Sequence, residues 1–308
     1  MPCALMPYAP LIMQTKRQIQ QLLISAGVRP NKRFGQHFLI DLNLMRLLVD
    51  SANINNNDIV LEAGCGTGSL TEALIERAGM VIAVELDRTL SEITKAQLIS
   101  AENVEVINAD ILENKNTLSR VVTNALESAR KKYYGRILLV ANLPYNSASP
   151  TILNLVTGPA IADAMYVTVQ KEAADRMTAA PSSSDYGILS IFLAAAGDVK
   201  KIRMLKPTVF WPQPRVDSAM VSFVRDQAKL KRIESMELFS QTVHLFMGHR
   251  RKTLMSCSKL ARGKLAKIGN WPEIFERCSI NPVQRPEQLG AEDYIAIANL
   301  SSGILTST

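Results

Sequence analysis

Between Asp58 and Asn142 the chain repeats one structural unit. Short β-branched runs, IVLEA (59–63), VIAVE (81–85), VEVI (104–107) and RILLVA (136–141), alternate with segments such as SLTEALIERAG (69–79) and RTLSEITKAQLIS (88–100). The runs read as buried strands, and the segments space their apolar residues three and four apart, as one face of a helix does. Such alternation builds βαβ units, and therefore a parallel sheet with helices on both faces. Two more strands are expected at AMYVTVQ (164–170) and DSAMVSFV (217–224). In the second, Ala219, Val221 and Phe223 alternate with Ser218, Met220 and Ser222, which predicts a half-exposed edge strand. From Ile233 onward only helical patterns appear. The expected organisation is an N-terminal extension over 1–28, mobile, an α/β domain over 29–230 and a small helical domain over 231–308.

A glycine loop, Glu62-Ala63-Gly64-Cys65-Gly66-Thr67-Gly68, joins the first of these strands to a helix. Glycines there permit a tight turn and let a ligand approach the backbone at a helix N-terminus. A dinucleotide fold would show G-x-G-x-x-G with an acid about 20 residues later. Here the pattern is G-x-G-x-G with the acid before it, which suits a nucleoside ligand without a pyrophosphate, such as S-adenosyl-L-methionine. Glu85 closes the next strand, where a carboxylate can accept both ribose hydroxyls. Asp110 follows the third, where it can accept from an adenine amino group. In an open α/β sheet all of these lie at the carboxyl ends of strands, where ligands bind.

The fourth strand ends in Asn142-Leu143-Pro144-Tyr145 and borders the same crevice. A side-chain oxygen and a backbone carbonyl there can both accept from an exocyclic amine, making its nitrogen a better nucleophile. Tyr145 can stack on the base, a contact worth about 1–3 kcal/mol. Positioning for in-line attack on a sulfonium methyl would supply most of the catalysis, without a general base. Phe210 and Trp211 are open to core packing or to closing the pocket, and their Pro-rich setting favours the pocket for Phe210.

Charge is uneven. Residues 200–285 carry 18 Lys and Arg against 6 Asp and Glu, although the whole chain is only +7. A basic C-terminal third implies a polyanionic partner. The four cysteines and three histidines are scattered, so neither a zinc site nor a disulfide framework is indicated. The longest uncharged apolar run, YGILSIFLAAAG (186–197), is short of the roughly 20 residues that span a bilayer. A reducing cytoplasm is the expected compartment, and nothing demands more than a monomer. The apolar N-terminus lacks the basic start of a signal peptide and holds three prolines.

Seven motifs now stand in order: RFGQHFLID (33–41), EAGCGTGSLT, ANLPYNSASP, VQKEAADRM (169–177), DYGILS (185–190), FWPQPRVDSA and HRRKTL (249–254). In this the chain resembles the small-subunit rRNA adenine dimethyltransferases of KsgA type, from about residue 29 to 300. The resemblance implies a Rossmann-like methyltransferase domain with a mostly parallel seven-stranded sheet. It also implies N6,N6-dimethylation of two adjacent adenines in the 3′-terminal hairpin of small-subunit rRNA within the 30S or pre-30S particle. S-adenosyl-L-methionine would be the cofactor, S-adenosyl-L-homocysteine the product, and no metal would take part. By the family pattern His37, Leu39, Gly64, Glu85, Asp110 and Asn142 contact or border the cofactor, and the glycine-loop residues Glu62, Gly66 and Gly68 read above are expected to join them. Asn142, Leu143, Pro144, Tyr145 and Phe210 would hold the target base, flipped out of its helix. Arg250, Arg251 and Lys252 would meet phosphates.

His37 stands where many members have Asn, Cys65 and Thr67 replace Pro and Leu, and the segment from Asp110 to Asn142 is longer than usual. Two alternatives remain: an erythromycin-resistance-type methyltransferase acting on large-subunit rRNA, and a catalytically silent ribosome-assembly factor. RRKTL and RPEQLGAEDY (285–294) argue against the first, and intact motifs against the second. A small-molecule methyltransferase would leave the basic third unexplained.

Overall fold

A computed structural model describes residues 13–31, 34–158 and 161–306. Helix α1 (Lys16–Ser25) precedes β1 (Phe38–Leu39) and α2 (Leu42–Ser51). Strand–helix repeats follow: β2 (Ile59–Ala63), α3 (Ser69–Ile75), β3 (Met80–Glu85), α4 (Arg88–Gln97) and β4 (Val104–Asn108). A hairpin of β5 (Leu112–Asn114) and β6 (Thr117–Leu118) occupies part of the longer segment. The repeats resume with α5 (Arg120–Arg130), β7 (Ile137–Asn142), α6 (Ala148–Thr157) and β8 (Ala164–Gln170). Next come α7 (Lys171–Met177), α8 (Ile188–Ala196), β9 (Gly197–Leu205), β10 (Phe210–Trp211) and β11 (Ser218–Arg225). Helices α9 (Gln227–Leu230), α10 (Met236–Met247), α11 (Leu254–Ser258), α12 (Trp271–Arg277) and α13 (Ala291–Thr306) complete the chain.

Seven strands form one sheet in the order β4-β3-β2-β7-β8-β11-β9. The pairs β2–β3, β3–β4, β2–β7 and β7–β8 are all parallel. Strand β2 is buried along its whole length, and β3 and β7 nearly so, which is why their sequences are continuous runs of Ile, Leu, Val and Ala. The chain leaves β2 towards β3 and β4, then returns to β7 on the other side of β2. That reversal opens a crevice at the carboxyl ends of β2 and β7. Asp87 caps α4, accepting from the Thr89 and Leu90 amides.

The chain divides into two compact units, one running to Lys171 and including Lys201–Ser222, the other comprising Glu172–Lys200 and Phe223–Thr308. The second therefore takes in α8, which an expected boundary near residue 230 left with the α/β domain. Its apolar face packs on α10 and α13, and Phe192 meets Phe239 edge-on at 5.2 Å. Phe246 lies in the same unit among Trp271, Phe275 and Tyr294. No helix among the described residues is long and apolar enough to cross a membrane.

One expectation is corrected. Strand β11 is not an edge: β9 lies outside it, and both its alternating sets are buried. Lysines and arginine in GDVKKIRML disguise β9, the true edge, where charge protects unpaired backbone. Of the N-terminal extension, the described residues from Met13 include α1, while residues 1–12 lie outside the described residues. Thr15 and Gln18 form a capping box for α1, whose Ile19 and Leu23 pack on Leu90.

Candidate active site

The glycine loop turns in the left-handed region at Gly64 (φ +81°) and Gly66 (φ +61°), and at Gly68, the N-cap of α3. A Cβ on Gly66 would lie 2.9 Å from Phe38 Cε1, and one on Gly64 3.0 Å from Pro144 Cγ. Only glycine fits between these neighbours. The loop is pinned to β3, since the Gly64 and Cys65 amides donate to the Val84 carbonyl at 2.8 and 3.2 Å. From the other side Gln14 donates through Nε2 to the Thr67 carbonyl and accepts from the Thr67 hydroxyl.

Glu85 presents both carboxylate oxygens at the end of β3. Oε2 accepts from the Gly66 amide at 2.8 Å and Oε1 from the Asp87 amide at 2.9 Å, so each keeps a lone pair for a further donor. Burial pushes its carboxyl above the ordinary range, against the pull of those amides. Glu62, 2% exposed, accepts from the Thr71 hydroxyl at 2.6 Å, and burial lifts its carboxyl to about 8. Asp110 lies exposed after β4 with Oδ1 accepting from the Leu112 amide at 3.0 Å.

Asn142 ends β7 with its amide held at both ends. Nδ2 donates to the His37 carbonyl at 2.7 Å, and Oδ1 accepts from the Thr168 hydroxyl. Tyr145 is fixed by a 2.8 Å hydrogen bond between its hydroxyl and Ser218 Oγ, and burial raises its phenol. The His37 imidazole stacks on the Tyr145 ring, with centroids 5.4 Å apart, and its Nδ1 lies 2.6 Å from the Pro212 carbonyl. His37 thus contributes its main chain to Asn142 and its ring to Tyr145.

Phe210 is 1% exposed within the hydrophobic core and is not among the residues lining the cavity described below. The β1–β10 pairing sets it opposite Leu39 and leaves Trp211 to stack on Phe38. The aromatic group beside Tyr145 is His37.

These elements line one cavity of about 140 Å³ in the first unit. His37, Leu39, Glu62, Gly64, Gly66, Glu85, Asp110 and Asn142-Leu143-Pro144-Tyr145 all line it; Gly68 does not. Sequence reasoning missed Ile19, Gln36, Leu86 and Ile111 on its wall. Leu86, directly after Glu85 and 47% exposed, could have been found as an apolar residue following a strand-end acid.

The family model for "Ribosomal RNA adenine dimethylase" matches residues 27–299. The chain belongs to that family. It is 37% identical over 271 residues to the ribosomal RNA small subunit methyltransferase A of Alkaliphilus oremlandii, covering 87% of this chain and 91% of that one. The protein of the same name from Pelotomaculum thermopropionicum is 34% identical over 292 residues, 94% and 97% of the two chains. Among solved structures, a dimethyladenosine transferase from Plasmodium falciparum superposes with a TM-score of 0.67 at 22% identity, covering 85% and 97%. The 23S rRNA methyltransferase ErmE does so at 0.58 and 21%, covering 85% and 98%, a likeness of fold alone.

The protein is therefore an rRNA adenine dimethyltransferase with a Rossmann-like fold. The cavity fits the nucleoside cofactor that a methyltransferase of this family implies. The Gly64 and Gly66 cradle excludes even a Cβ, and Glu85 holds two open lone pairs for hydroxyl donors. In the helical unit of this dimethylase, Arg251 and Lys252 are exposed. Arg250 is instead tied to Glu287, with Nε and Nη2 3.0 and 2.9 Å from Oε2.

Proposed function

We propose that the protein uses S-adenosyl-L-methionine to dimethylate N6 of two adjacent adenosines in the 3′-terminal hairpin of small-subunit rRNA. One observation carries the reading: the glycine loop, Glu85, Asp110 and the Asn142–Tyr145 turn all face a single cavity. The two bacterial relatives named for the small subunit, matched over nearly their whole length, support the target.

The cofactor, when bound, supplies a methyl group made electrophilic by its sulfonium. Everything else falls to the chain. Glu85 takes the ribose hydroxyls, Asp110 the cofactor's adenine amine, and Leu86 and Ile111 the apolar faces of that base. Glu62 lies behind the glycine loop as a neutral acid below about pH 8. The open lone pair of Asn142 Oδ1 and a carbonyl of the following turn accept the target amine's hydrogens, holding its nitrogen towards the methyl. Tyr145 stacks on the target base. Arg251 and Lys252 meet phosphates without reading sequence, so target choice rests on RNA shape and on which adenine can be splayed out.

The test is methyl transfer from labelled S-adenosyl-L-methionine to 30S subunits lacking 3′-hairpin methylation, beside 23S rRNA and 50S subunits. Dimethyladenosine from the small subunit alone is expected. Transfer to 23S rRNA would move the protein to the resistance type, and tight 30S binding without transfer would make it an assembly factor.

A further inference from the structure

Asn142 and Thr168 are register partners across the parallel pair β7–β8, and the Leu143 amide donates to the Thr168 carbonyl at 3.1 Å. Thr168 is 1% exposed, and its hydroxyl donates to Asn142 Oδ1. At the far end of the same amide, Nδ2 donates to the His37 carbonyl. A carbonyl can only accept, so the nitrogen must face His37 and the oxygen must face Thr168. One lone pair of Oδ1 is thereby filled and the other stays open, in a plane that neither neighbour lets turn. Nothing in the sequence marks this threonine, which reads as an ordinary β-branched strand residue.

We propose that Thr168 is a positioning residue for methyl transfer, and that the second transfer to each adenine depends on it most. The proposal rests on the reading of Asn142 given above. A primary amine offers two N–H donors to two acceptors. After one transfer a single N–H remains, so a single hydrogen bond must orient the nitrogen lone pair. In each transfer that lone pair forms the N–C bond while the methyl carbon leaves sulfur, which keeps the C–S electron pair. The amine proton then passes to water. With one hydrogen bond left, the angular freedom of the Asn142 amide becomes the angular freedom of the nucleophile.

Thr168→Val keeps the β-branched shape, removes the hydroxyl and leaves the amide held at its nitrogen alone, so that its oxygen end can pivot about the His37 hydrogen bond. Thr168→Ser restores the hydroxyl. The experiment measures single-turnover methylation of undermethylated 30S subunits at saturating S-adenosyl-L-methionine, resolving monomethyl- from dimethyladenosine. Calorimetry with S-adenosyl-L-homocysteine and a crystal structure of the valine variant accompany it. The expected result is a second transfer slowed at least about tenfold, with monomethyladenosine accumulating, homocysteine-product affinity within twofold of wild type, and the Asn142 amide rotated. The serine variant should return to within about threefold. A valine variant with the wild-type product ratio, or one whose amide keeps its orientation, would overturn the proposal. So would equal slowing of both transfers accompanied by weakened product binding, the mark of general damage to the site. Absence of transfer by the wild-type protein would overturn the reading of the site itself, whereas the crystallographic result bears on Thr168 alone.

Discussion

Gln14 and Thr67, 53 residues apart, hold each other by a reciprocal pair of hydrogen bonds. Gln14 Nε2 donates to the Thr67 carbonyl at 2.9 Å, and the Thr67 hydroxyl donates to Gln14 Oε1 at 2.7 Å. Gln14 is 4% exposed, and the same amide nitrogen also reaches Glu72. The segment before α1 is therefore a strut for the glycine loop. Gln14→Ala strands the Thr67 hydroxyl and carbonyl in the interior, which costs about 1–3 kcal/mol. Urea unfolding should show that loss, and S-adenosyl-L-homocysteine should bind more weakly because the loop is no longer held. Unchanged values on both counts would mean the strut is idle.

Asn142→Ala removes the acceptor proposed to hold the target amine. Transfer should fall by at least about a hundredfold, the scale of misplacing a reacting group. Affinity for 30S subunits, measured by filter binding, should stay within a few-fold of wild type. Near-normal dimethylation would remove Asn142 from the mechanism.

Glu85→Ala withdraws both open lone pairs at the end of β3 and frees the Gly66 and Asp87 amides. Hydrogen bonds to a charged group contribute about 1.5–3 kcal/mol each, so product affinity should drop at least about tenfold. Calorimetry decides it, and an unchanged dissociation constant would refute the ribose assignment.

Glu62 makes stability depend on pH in a defined direction. Burial lifts its folded carboxyl from 4.5 to about 8, so between those values the folded state keeps a proton that the unfolded chain has released. Stability then falls as pH rises through the window and levels off above about 8. Glu62→Gln retains an acceptor for Thr71 and has no proton to lose. Denaturation of both proteins at pH 5, 6, 7 and 8 should show the wild type losing stability relative to the variant. A constant difference would refute the buried, neutral acid.

Arg250 and its two neighbours should separate in experiment. Arg251→Ala and Lys252→Ala should each weaken RNA binding and reduce the salt slope by about 1, without moving the melting temperature. Arg250→Ala leaves Glu287 unpaired and should lower the melting temperature. Equal behaviour of all three would show that the Glu287 pair opens to meet RNA.

The sequence by itself determined the parallel α/β frame, the glycine loop, the strand-end acids Glu85 and Asp110, and the Asn142–Tyr145 turn. Each is written within a few consecutive residues, because a strand-to-helix turn is a local object. Tertiary structure decided what depends on which element lies alongside. Pairing of β1 with β10 turned Phe210 into the core and left His37 beside Tyr145. Placement of β9 beyond β11 hid a strand that alternation alone would leave half exposed. Thr168, Gln14 and Arg250 took their roles from partners 26, 53 and 37 residues away. Side-chain chemistry is local to the chain, but a hydrogen bond belongs to a pair, and only the fold brings the second member.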